Sequence, residues 1–293
     1  MKREIILMKK VNKIKPNKSK IFNAEPIKIG FVGAGPYVNA TELSSCFAIW
    51  IADNYFLNYD TPSVAYIQLA PLEDCNRKFF SQYNINRFVD KYNFLDIYTD
   101  LLIDNSSKYK SDLKINKFPN TWLGVKWLVP GYNFDFLTSD AVSITQQNKF
   151  NHDIYKISSK HISVNDSSLL IYNLGRGSNK EELFNHMDIL VAVSSSSRIF
   201  IENAYDDINS IESFREKNKP LMWLVNDYTS GIPKSFIREK LNGGNIQFLN
   251  KFDTALISEC SYKRIFLCEE GKIKPGLWDF FNSAFRSFEK FIV

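Results

Sequence analysis

A short loop, the glycine loop (residues 33–41), holds the residues whose types and spacing could do chemistry. The apolar run from Ile27 to Val32 leads into Gly33, Ala34 and Gly35, and an apolar helical pattern begins near Thr41. A loop between a strand and a helix presents backbone N–H groups and the positive end of the helix dipole, which together bind anions. The layout is therefore that of a phosphate-binding turn.

Two nucleotide-binding motifs compete for this loop, and both are broken. The Rossmann motif G-x-G-x-x-G/A has Val38 at its third position, and the next strand ends at Gln68-Leu69-Ala70 without the expected acid. The P-loop motif G-x-x-x-x-G-K-[ST], aligned on Thr41, places Ala34, Asn39 and Ala40 at its two glycines and its lysine. The loop by itself therefore leaves both interpretations open.

The wider sequence resembles the ParA/MinD-like family of P-loop NTPases, whose deviant Walker A motif reads KGGVGKTT. Over that motif, residues 35–42 read GPYVNATE, so that Val38 and Thr41 match and Gly35 takes the position of the signature lysine. The resemblance follows the order of elements over residues 27–250. It implies a P-loop fold and a protein that acts in assembly or positioning, as a dimer formed through the loop face or with a protein partner.

Three strand ends extend the resemblance and show what has been lost. The family's D-x-D-P pattern after the second strand has Gln68 and Ala70 at its carboxylate positions, and the Walker B aspartate is replaced by Asn173. A later strand ends at Asn226, an asparagine that family members often set against the purine base. The resemblance implies that the nucleotide site is vestigial, at the following positions: Gly33, Ala34, Gly35, Pro36, Tyr37, Val38, Asn39, Ala40, Thr41, Gln68, Asn173 and Asn226.

These replacements remove the charges on which ATP hydrolysis depends. Catalysis needs a lysine on the phosphates, Mg²⁺, carboxylates to anchor the metal and a group to position water. Each charge-assisted contact contributes roughly 1.5–3 kcal/mol, so several losses remove most of the nucleotide affinity. Tyr37 adds bulk at the loop, and the charge of Glu42 would repel a triphosphate. We therefore predict a pseudo-NTPase without catalytic residues or a cofactor, with weak ATP binding left open. The alternative is a simple strand–helix turn.

The pattern of strands and helices predicts an α/β fold. Apolar strands separated by helices indicate a mainly parallel, doubly wound sheet in a three-layer α/β/α, P-loop NTPase-like arrangement. We expect one domain over residues 26–293, with an irregular insert around residues 71–120. Predicted strands cover residues 27–32, 63–69, 124–129, 168–174, 189–193, 221–225 and 245–249; predicted helices begin near 41 and lie within 139–160 and at 179–186, 198–217, 233–241 and 277–292.

Charge is concentrated in an amino-terminal tail. The net charge is +5, yet residues 1–20 hold eight lysines and arginines against one glutamate, a net +7, so the remainder sums to −2. Residues 1–25 read as a basic disordered tail, and a nucleic-acid groove in the body is not expected. Without a signal-peptide core in that tail, we expect a cytoplasmic protein, with peripheral contact at the inner membrane surface left open.

The last helix and the cysteines and histidines complete the predictions. The stripe of aromatic residues in 277–292 is amphipathic with cancelling charges, which favours docking on the body or a partner over a membrane. The four cysteines and three histidines show no metal-ligand spacing, so we predict no metal site. Two alternative functions stay open: a nucleotide- or NAD(P)-binding enzyme that uses the Gly33-Ala34-Gly35 loop, and a membrane-surface adaptor that uses the tail and the last helix.

Overall fold

The structure is a computed structural model that describes residues 26–35, 38–55, 64–69, 121–128, 152, 155, 169–176, 181–215, 219–263 and 265–286. The predicted basic tail, the predicted insert at 71–120, most of the predicted helix within 139–160, and the last residues of the predicted 277–292 helix lie outside the described residues. So do Pro36 and Tyr37 of the glycine loop, and Ala70.

One sheet of eight strands organises the described residues, in the order β3-β4-β2-β5-β1-β6-β7-β8. Seven strands run parallel, and β3 is antiparallel to β4. The predicted parallel α/β sheet is thus confirmed. The strands are β1 (Ile27–Ala34), β2 (Val64–Gln68), β3 (Thr121–Trp122), β4 (Val125–Leu128), β5 (Leu169–Arg176), β6 (Ile189–Ser195), β7 (Leu221–Tyr228) and β8 (Asn245–Asn250).

Helices cover both faces of the sheet, because each parallel strand is apolar on both sides and needs cover on both. Val191 and Leu224 lie in the core on one face, and their neighbours Ala192 and Val225 lie in the core on the other. The helices are α1 (Ala40–Tyr55), α2 (Glu181–Phe184), α3 (Arg198–Asn203), α4 (Tyr205–Arg215), α5 (Lys234–Lys240), α6 (Thr254–Lys263), a 3₁₀ turn (Leu267–Glu269) and α7 (Lys274–Arg286).

Helix α7 docks on α1 through aromatic side chains. The ring centroids of Phe281 and Phe47 lie 5.4 Å apart, and those of Phe285 and Trp50 lie 5.2 Å apart. Full burial of such a side chain contributes roughly 1.5–3 kcal/mol. The helix begins at Lys274, slightly before the predicted start. The described apolar residues of α7 are buried in the core, in agreement with the predicted docking on the body.

The sheet order separates two interpretations of the glycine loop. Strand β5 lies between β1 and β2, whereas the Rossmann order 3-2-1-4-5-6 places the second strand directly beside the first. The order therefore favours the P-loop interpretation over a dinucleotide fold.

Three elements differ from the sequence predictions. The predicted helix at 198–217 is divided into α3 and α4, because the Ala204 N–H donates to Ile201 O and ends the first helix. Helix α6 was not predicted. The predicted strand at 124–129 is the second arm of a hairpin, whose turn residues Leu123 and Gly124 have φ of +50° and +75°. Leucine rarely adopts a positive φ, so its presence gave no turn signal.

No helix among the described residues is long and apolar enough to cross a membrane.

Candidate nucleotide-binding site

The glycine loop leaves β1 at the carboxyl edge of the sheet and turns sharply into α1. Gly35 has φ of +96°, and a Cβ at Gly33 would lie 2.9 Å from the Val38 side chain. Asn39, at the position of a family glycine, has φ of +57°, a conformation that asparagine tolerates better than most residues. Helix α1 then begins at Ala40, with the Leu43 N–H bonded to Asn39 O. The described residues on either side of Pro36 and Tyr37 therefore include left-handed backbone at Gly35 and Asn39, even though two motif glycines are missing.

Three predicted positions meet beside this loop in a hydrogen-bonded group, the amide network (Thr41, Gln68 and Asn173). The Asn173 Nδ2 donates to Thr41 Oγ1 at 2.7 Å and to Gln68 Oε1 at 3.0 Å. Gln68 and Asn173 are also paired in register between β2 and β5. The turns after the first, second and Walker-B-like strands thus converge, as the ParA/MinD-like resemblance predicts.

The orientation of the Asn173 amide is fixed by its other partner. Its Oδ1 accepts the Gly175 N–H at 3.1 Å, so its NH₂ must face Thr41 and Gln68. Turning the amide over would place oxygen against Gln68 Oε1 and would leave the Gly175 N–H facing another donor. Both hydrogens of Nδ2 are consequently used inside the network, and a donor points at the Thr41 hydroxyl.

A second row of side chains supports the network from β2 and α1. The Tyr66 hydroxyl donates to Gln68 Oε1 at 2.9 Å and lies 3.2 Å from Ser44 Oγ. Asn173, Tyr66 and Ser44 are fully buried. Buried polar groups are costly unless they are paired, so this neutral set holds its members in one arrangement.

This arrangement is ill suited to Mg²⁺. The cation takes oxygen ligands in near-ideal octahedral geometry and is usually anchored by carboxylates. Here the Thr41 hydroxyl has an N–H group at 2.7 Å, and Asn173 has no net charge to offer. Among the described residues, no group of three or more His, Cys, Asp or Glu side chains is placed to hold a metal ion.

The opposite flank of the loop is charged, and sequence reasoning missed it. Asp207 of α4, which is 1% exposed, accepts the Gly35 N–H through Oδ2 at 2.9 Å. The same oxygen accepts from Arg176 Nη2 at 3.1 Å and from Arg176 Nε at 3.3 Å. The Gly35 N–H, at the base of the loop, is therefore already hydrogen-bonded to a carboxylate of the chain itself.

A helical signal for Asp207 was present in the sequence. The helical spacing of the apolar residues in 198–217 predicts that its acids lie on the opposite, solvent face, and this prediction is wrong for Asp207. It lies four residues before Ile211 and seven before Phe214, positions that share one face of a helix. An acid on an apolar stripe indicates a buried, paired carboxylate.

Glu42 has a role different from the predicted repulsion of phosphate. Its Oε1 accepts the Leu267 N–H at 3.1 Å, across a separation of 225 residues. The carboxylate therefore ties the first turn of α1 to the 3₁₀ turn that precedes α7. Tyr37, the other predicted obstacle, lies outside the described residues.

Asn226 shares the carboxyl edge with the loop but is set apart from the amide network. It lies two residues before the end of β7, which is separated from β1 by β6, and it pairs in register with Ser195. Its neighbour Asp227 has φ of +53°, and partial burial raises the pKa of that carboxyl, with Lys251 acting in the opposite direction. The structure thus brings together Gly33, Ala34, Gly35, Val38, Asn39, Ala40, Thr41, Gln68 and Asn173, and leaves Asn226 at the side.

Two histidines that are distant in sequence lie together at the amino-terminal edge of the sheet. The ring centroids of His152 and His186 lie 6.2 Å apart, and the Tyr155 ring stacks on the His186 ring with 4.4 Å between their centroids. Burial is the main cause that lowers the pKa of His186, and charge on His152 and Lys28 adds to it. Lys28 is the second residue of β1 and lies at the opposite end of that strand from the glycine loop. This group is therefore separate from the nucleotide-like edge.

The described cysteines lie in the core. Among the described residues Cys46, Cys260 and Cys268 are free and buried. Burial, followed by contact with Cys268, raises the pKa of Cys46 well above its ordinary value, and burial raises the pKa of Cys260 to about 11. Cys46 and Cys260 are therefore protonated packing groups at neutral pH.

Comparison with solved structures identifies the fold. The chain is similar to a ParA family ATPase of Chlorobium tepidum, with a TM-score of 0.57 and 13% identity, over 87% of this chain and 97% of that chain. It is similar to the MinC:MinD cell division complex of Aquifex aeolicus, with a TM-score of 0.56 and 15% identity, over 89% and 95%. The complex of a Cyanothece McdA variant with ATP matches with a TM-score of 0.58 and 11% identity, over 90% and 97%.

The sequence comparisons give no match. No protein-family model matches the chain, and no curated protein matches it significantly. The structural similarity spans nearly the whole of each neighbour, and the fold is that of the ParA/MinD-like P-loop NTPases. The resemblance drawn from the loop and strand ends is confirmed at the level of fold.

Proposed function

We propose that the protein is a non-catalytic ParA/MinD-like pseudo-NTPase that acts as an assembly, positioning or scaffold protein through protein–protein contacts. The observation that carries the proposal is the Asn173 amide, which donates to Thr41 Oγ1 while the Gly175 N–H holds it in place. In this proposal the amide network takes the place of a metal-anchoring site, and the loop serves as structure.

The charge distribution along the loop supports the loss of nucleotide affinity. Ala40 stands where the P-loop motif has its lysine, and it is largely buried. On the other flank, the buried carboxylate of Asp207 already satisfies the Gly35 N–H. Losing two charge-assisted contacts at roughly 1.5 kcal/mol or more each weakens binding about 100-fold or more. Because Asp207 is paired with Arg176, its effect on a phosphate is to occupy the Gly35 N–H.

Exposed apolar side chains beside the loop support the protein-contact part of the proposal. Ile199 and Tyr205 are 67% and 68% exposed, and Phe200 is 38% exposed. They belong to α3 and the start of α4, and the Phe200 carbonyl lies 3.7 Å from a Cβ placed on Gly35. Large apolar residues grouped on a surface favour protein interaction sites. The MinD neighbour is seen in complex with MinC, and we extend the use of a protein partner to this chain as part of the proposal.

Calorimetric titration of the full chain with MgATP and MgADP tests the proposal. We expect no binding tighter than about 1 mM. The matched variant Ala40→Lys/Gln68→Asp/Asn173→Asp returns the lysine and two carboxylates, and we expect it to bind MgATP more tightly than the wild type. Micromolar affinity of the wild-type chain for MgATP, or measurable hydrolysis, would remove the basis of the proposal.

A further inference from the structure

Strand β8 forms one lateral edge of the sheet. It pairs with β7 on one side, and no strand among the described residues pairs with its other side. Ile246, Gln247 and Phe248 are partly exposed, and Asn250 is exposed. The one register irregularity of this pair adds a residue to β7, between Val225 and Tyr228, and leaves β8 regular.

The composition of β8 lacks the features that protect an edge. Its six residues, NIQFLN, include no charged residue and no proline. Natural sheets usually block such edges with lysine, proline, bulges or very short strands, because an open edge pairs with other chains. The opposite edge follows that rule, since β3 has only two residues. The lack of such protection on β8 therefore indicates that this strand pairs with another chain.

Helix α5 places cations directly beside this edge. The Lys234 Nζ lies 4.8 Å from the ring centroid of Phe248 and 5.1 Å from that of Tyr228, and Arg238 Cζ lies 5.7 Å from the Phe248 ring. Lys234 and Arg238 are four residues apart, so they share one face of the helix. Contact with the rings holds both charged groups beside the middle of β8. Each exposed cation–π pair contributes roughly 0.5–1 kcal/mol of interaction energy.

The surroundings carry a small excess of positive charge, since residues 227–253 sum to +1 with the flanking acids Asp227 and Asp253 included. Residues 228–251 contain Lys234, Arg238, Lys240 and Lys251 against one acid, Glu239. We call the outer edge of β8 with Lys234 and Arg238 the cationic edge. Its backbone can pair with any extended chain, whereas its charges select an acidic one.

We propose that the cationic edge binds an acidic, extended segment of a partner protein, which joins the sheet as a ninth strand. Main-chain hydrogen bonds to β8 supply the affinity, and the cations of α5 supply the choice of sequence. Side chains alternate between the faces of a strand, so the acids of the segment lie at every second position, facing α5. The inference shares with the proposed function only the need for a protein partner.

A second copy of this chain fits the edge poorly. Two β8 strands joined about a two-fold axis in one continuous sheet would bring both α5 helices to the same face. Lys234 and Arg238 of each copy would then approach those of the other, and such like-charge contacts are unfavourable. A nucleic acid could meet the charges but offers no backbone amides to continue the sheet. An acidic peptide satisfies both features.

Fluorescence anisotropy with two labelled, capped octapeptides tests the proposal. One alternates glutamate and threonine, and the other has the same composition with the four glutamates in a block. We expect the alternating peptide to bind more tightly, and Lys234→Glu/Arg238→Glu to weaken that binding roughly tenfold or more. The control Lys272→Glu/Arg286→Glu makes the same change in net charge at two exposed sites, and its affinity should stay within about twofold of the wild type.

Hydrogen exchange shows whether a strand has been added. The alternating peptide should slow exchange of the β8 amides in the wild type and not in the Lys234→Glu/Arg238→Glu variant. The proposal is overturned by absence of peptide binding, by equal affinity for the two peptides, by an unchanged affinity of the variant, or by unchanged β8 exchange. Tighter binding of a single-stranded oligonucleotide of equal charge, or a dimer formed through β8, would also overturn it. None of these results depends on nucleotide binding, so the two proposals can fail separately.

Discussion

The polar groups on the two flanks of the glycine loop are hydrogen-bonded in opposite ways, by neutral amides on one flank and by a carboxylate on the other. On the flank formed by β2 and β5, Gln68 and Asn173 stand at carboxylate positions of the ParA/MinD-like pattern and bond as neutral amides. On the flank formed by α4, a buried carboxylate, Asp207, holds the Gly35 N–H and pairs with Arg176. The first flank thus lacks the negative charge that a metal needs, and on the second flank an ion-paired carboxylate occupies a backbone N–H that a phosphate would need.

Under the proposed function, this difference explains how a phosphate-binding turn can persist without a ligand. A buried N–H or hydroxyl that loses its partner costs roughly 1–3 kcal/mol, so a loop built for anions needs replacements when the anion is no longer bound. Here the replacements come from the chain itself, through residues far away in sequence. In the proposed function these contacts replace those of a bound nucleotide.

Returning a charge to the neutral flank should have the largest effect. Asn173→Asp removes both N–H donors from Thr41 and Gln68 and buries a carboxylate beside two oxygens. We expect a loss of about 2–4 kcal/mol in the free energy of unfolding at pH 7. A buried carboxyl without a cation has a raised pKa, so the deficit should shrink as the pH falls and the group is protonated.

Urea denaturation across pH 4 to 8 measures this effect, with Asn209→Asp as the control on the exposed face of α4. The control should stay within about 0.5 kcal/mol of the wild type. A stable Asn173→Asp protein at neutral pH without added Mg²⁺ would show that the neutral flank tolerates charge, and the contrast between the flanks would be lost.

Removing the charge from the other flank should have a smaller effect. Asp207→Asn weakens the bond to the Gly35 N–H and leaves the Arg176 guanidinium, which is 41% exposed, to solvent. Because Arg176 stays partly hydrated, we expect a loss of about 1–2 kcal/mol in the free energy of unfolding. Its neighbour Asp206 is exposed, so Asp206→Asn is a matched control with little effect. Equal stability of the two variants would contradict a structural role for Asp207.

The irregular last residues of β7 include a half-buried acid, Asp227, whose replacement should have the smallest effect. Partial burial raises the pKa of Asp227 in the folded protein above its unfolded value, with Lys251 acting in the opposite direction. The folded state then holds its proton to higher pH than the unfolded state, so stability falls as the pH rises through that window. Asp227→Asn should remove this slope and raise the free energy of unfolding at pH 7 by less than about 1 kcal/mol.

Thermal unfolding at several pH values detects the change, and Asp279→Asn on the exposed face of α7 is the control. Asparagine also tolerates the positive φ at this position, so the backbone should be unaffected. A steeper pH dependence in the Asp227→Asn variant would reverse the expected sign and exclude this explanation.

The sequence predicted the parts of the fold that local pattern determines. Buried parallel strands such as β5 and β6 appear as continuous apolar runs, because both faces are covered, and their carboxyl ends meet at one edge. That geometry placed Gln68 and Asn173 near the loop once the family resemblance supplied the strand order. The amide network was therefore predictable in membership, although not in its hydrogen bonds.

Long-range partners and unusual backbone conformations were not predictable in the same way. The contact between Gly35 and Asp207 joins residues 172 apart, and no local pattern encodes it. The division between α3 and α4 at Ala204 lies within an unbroken apolar periodicity, so propensity favours one helix. The Leu123 turn conformation opposes the usual preference of that residue. In each case the tertiary structure determines the outcome.

The most direct test of the vestigial site is a structure of the full chain determined with a large excess of Mg²⁺ and a non-hydrolysable ATP analogue. We predict that Asn173 Nδ2 stays about 2.7 Å from Thr41 Oγ1 and that Asp207 keeps the Gly35 N–H, with no nucleotide in the loop. A nucleotide seated in the loop, with Mg²⁺ on Thr41 Oγ1 and the Asn173 amide turned away, would contradict it.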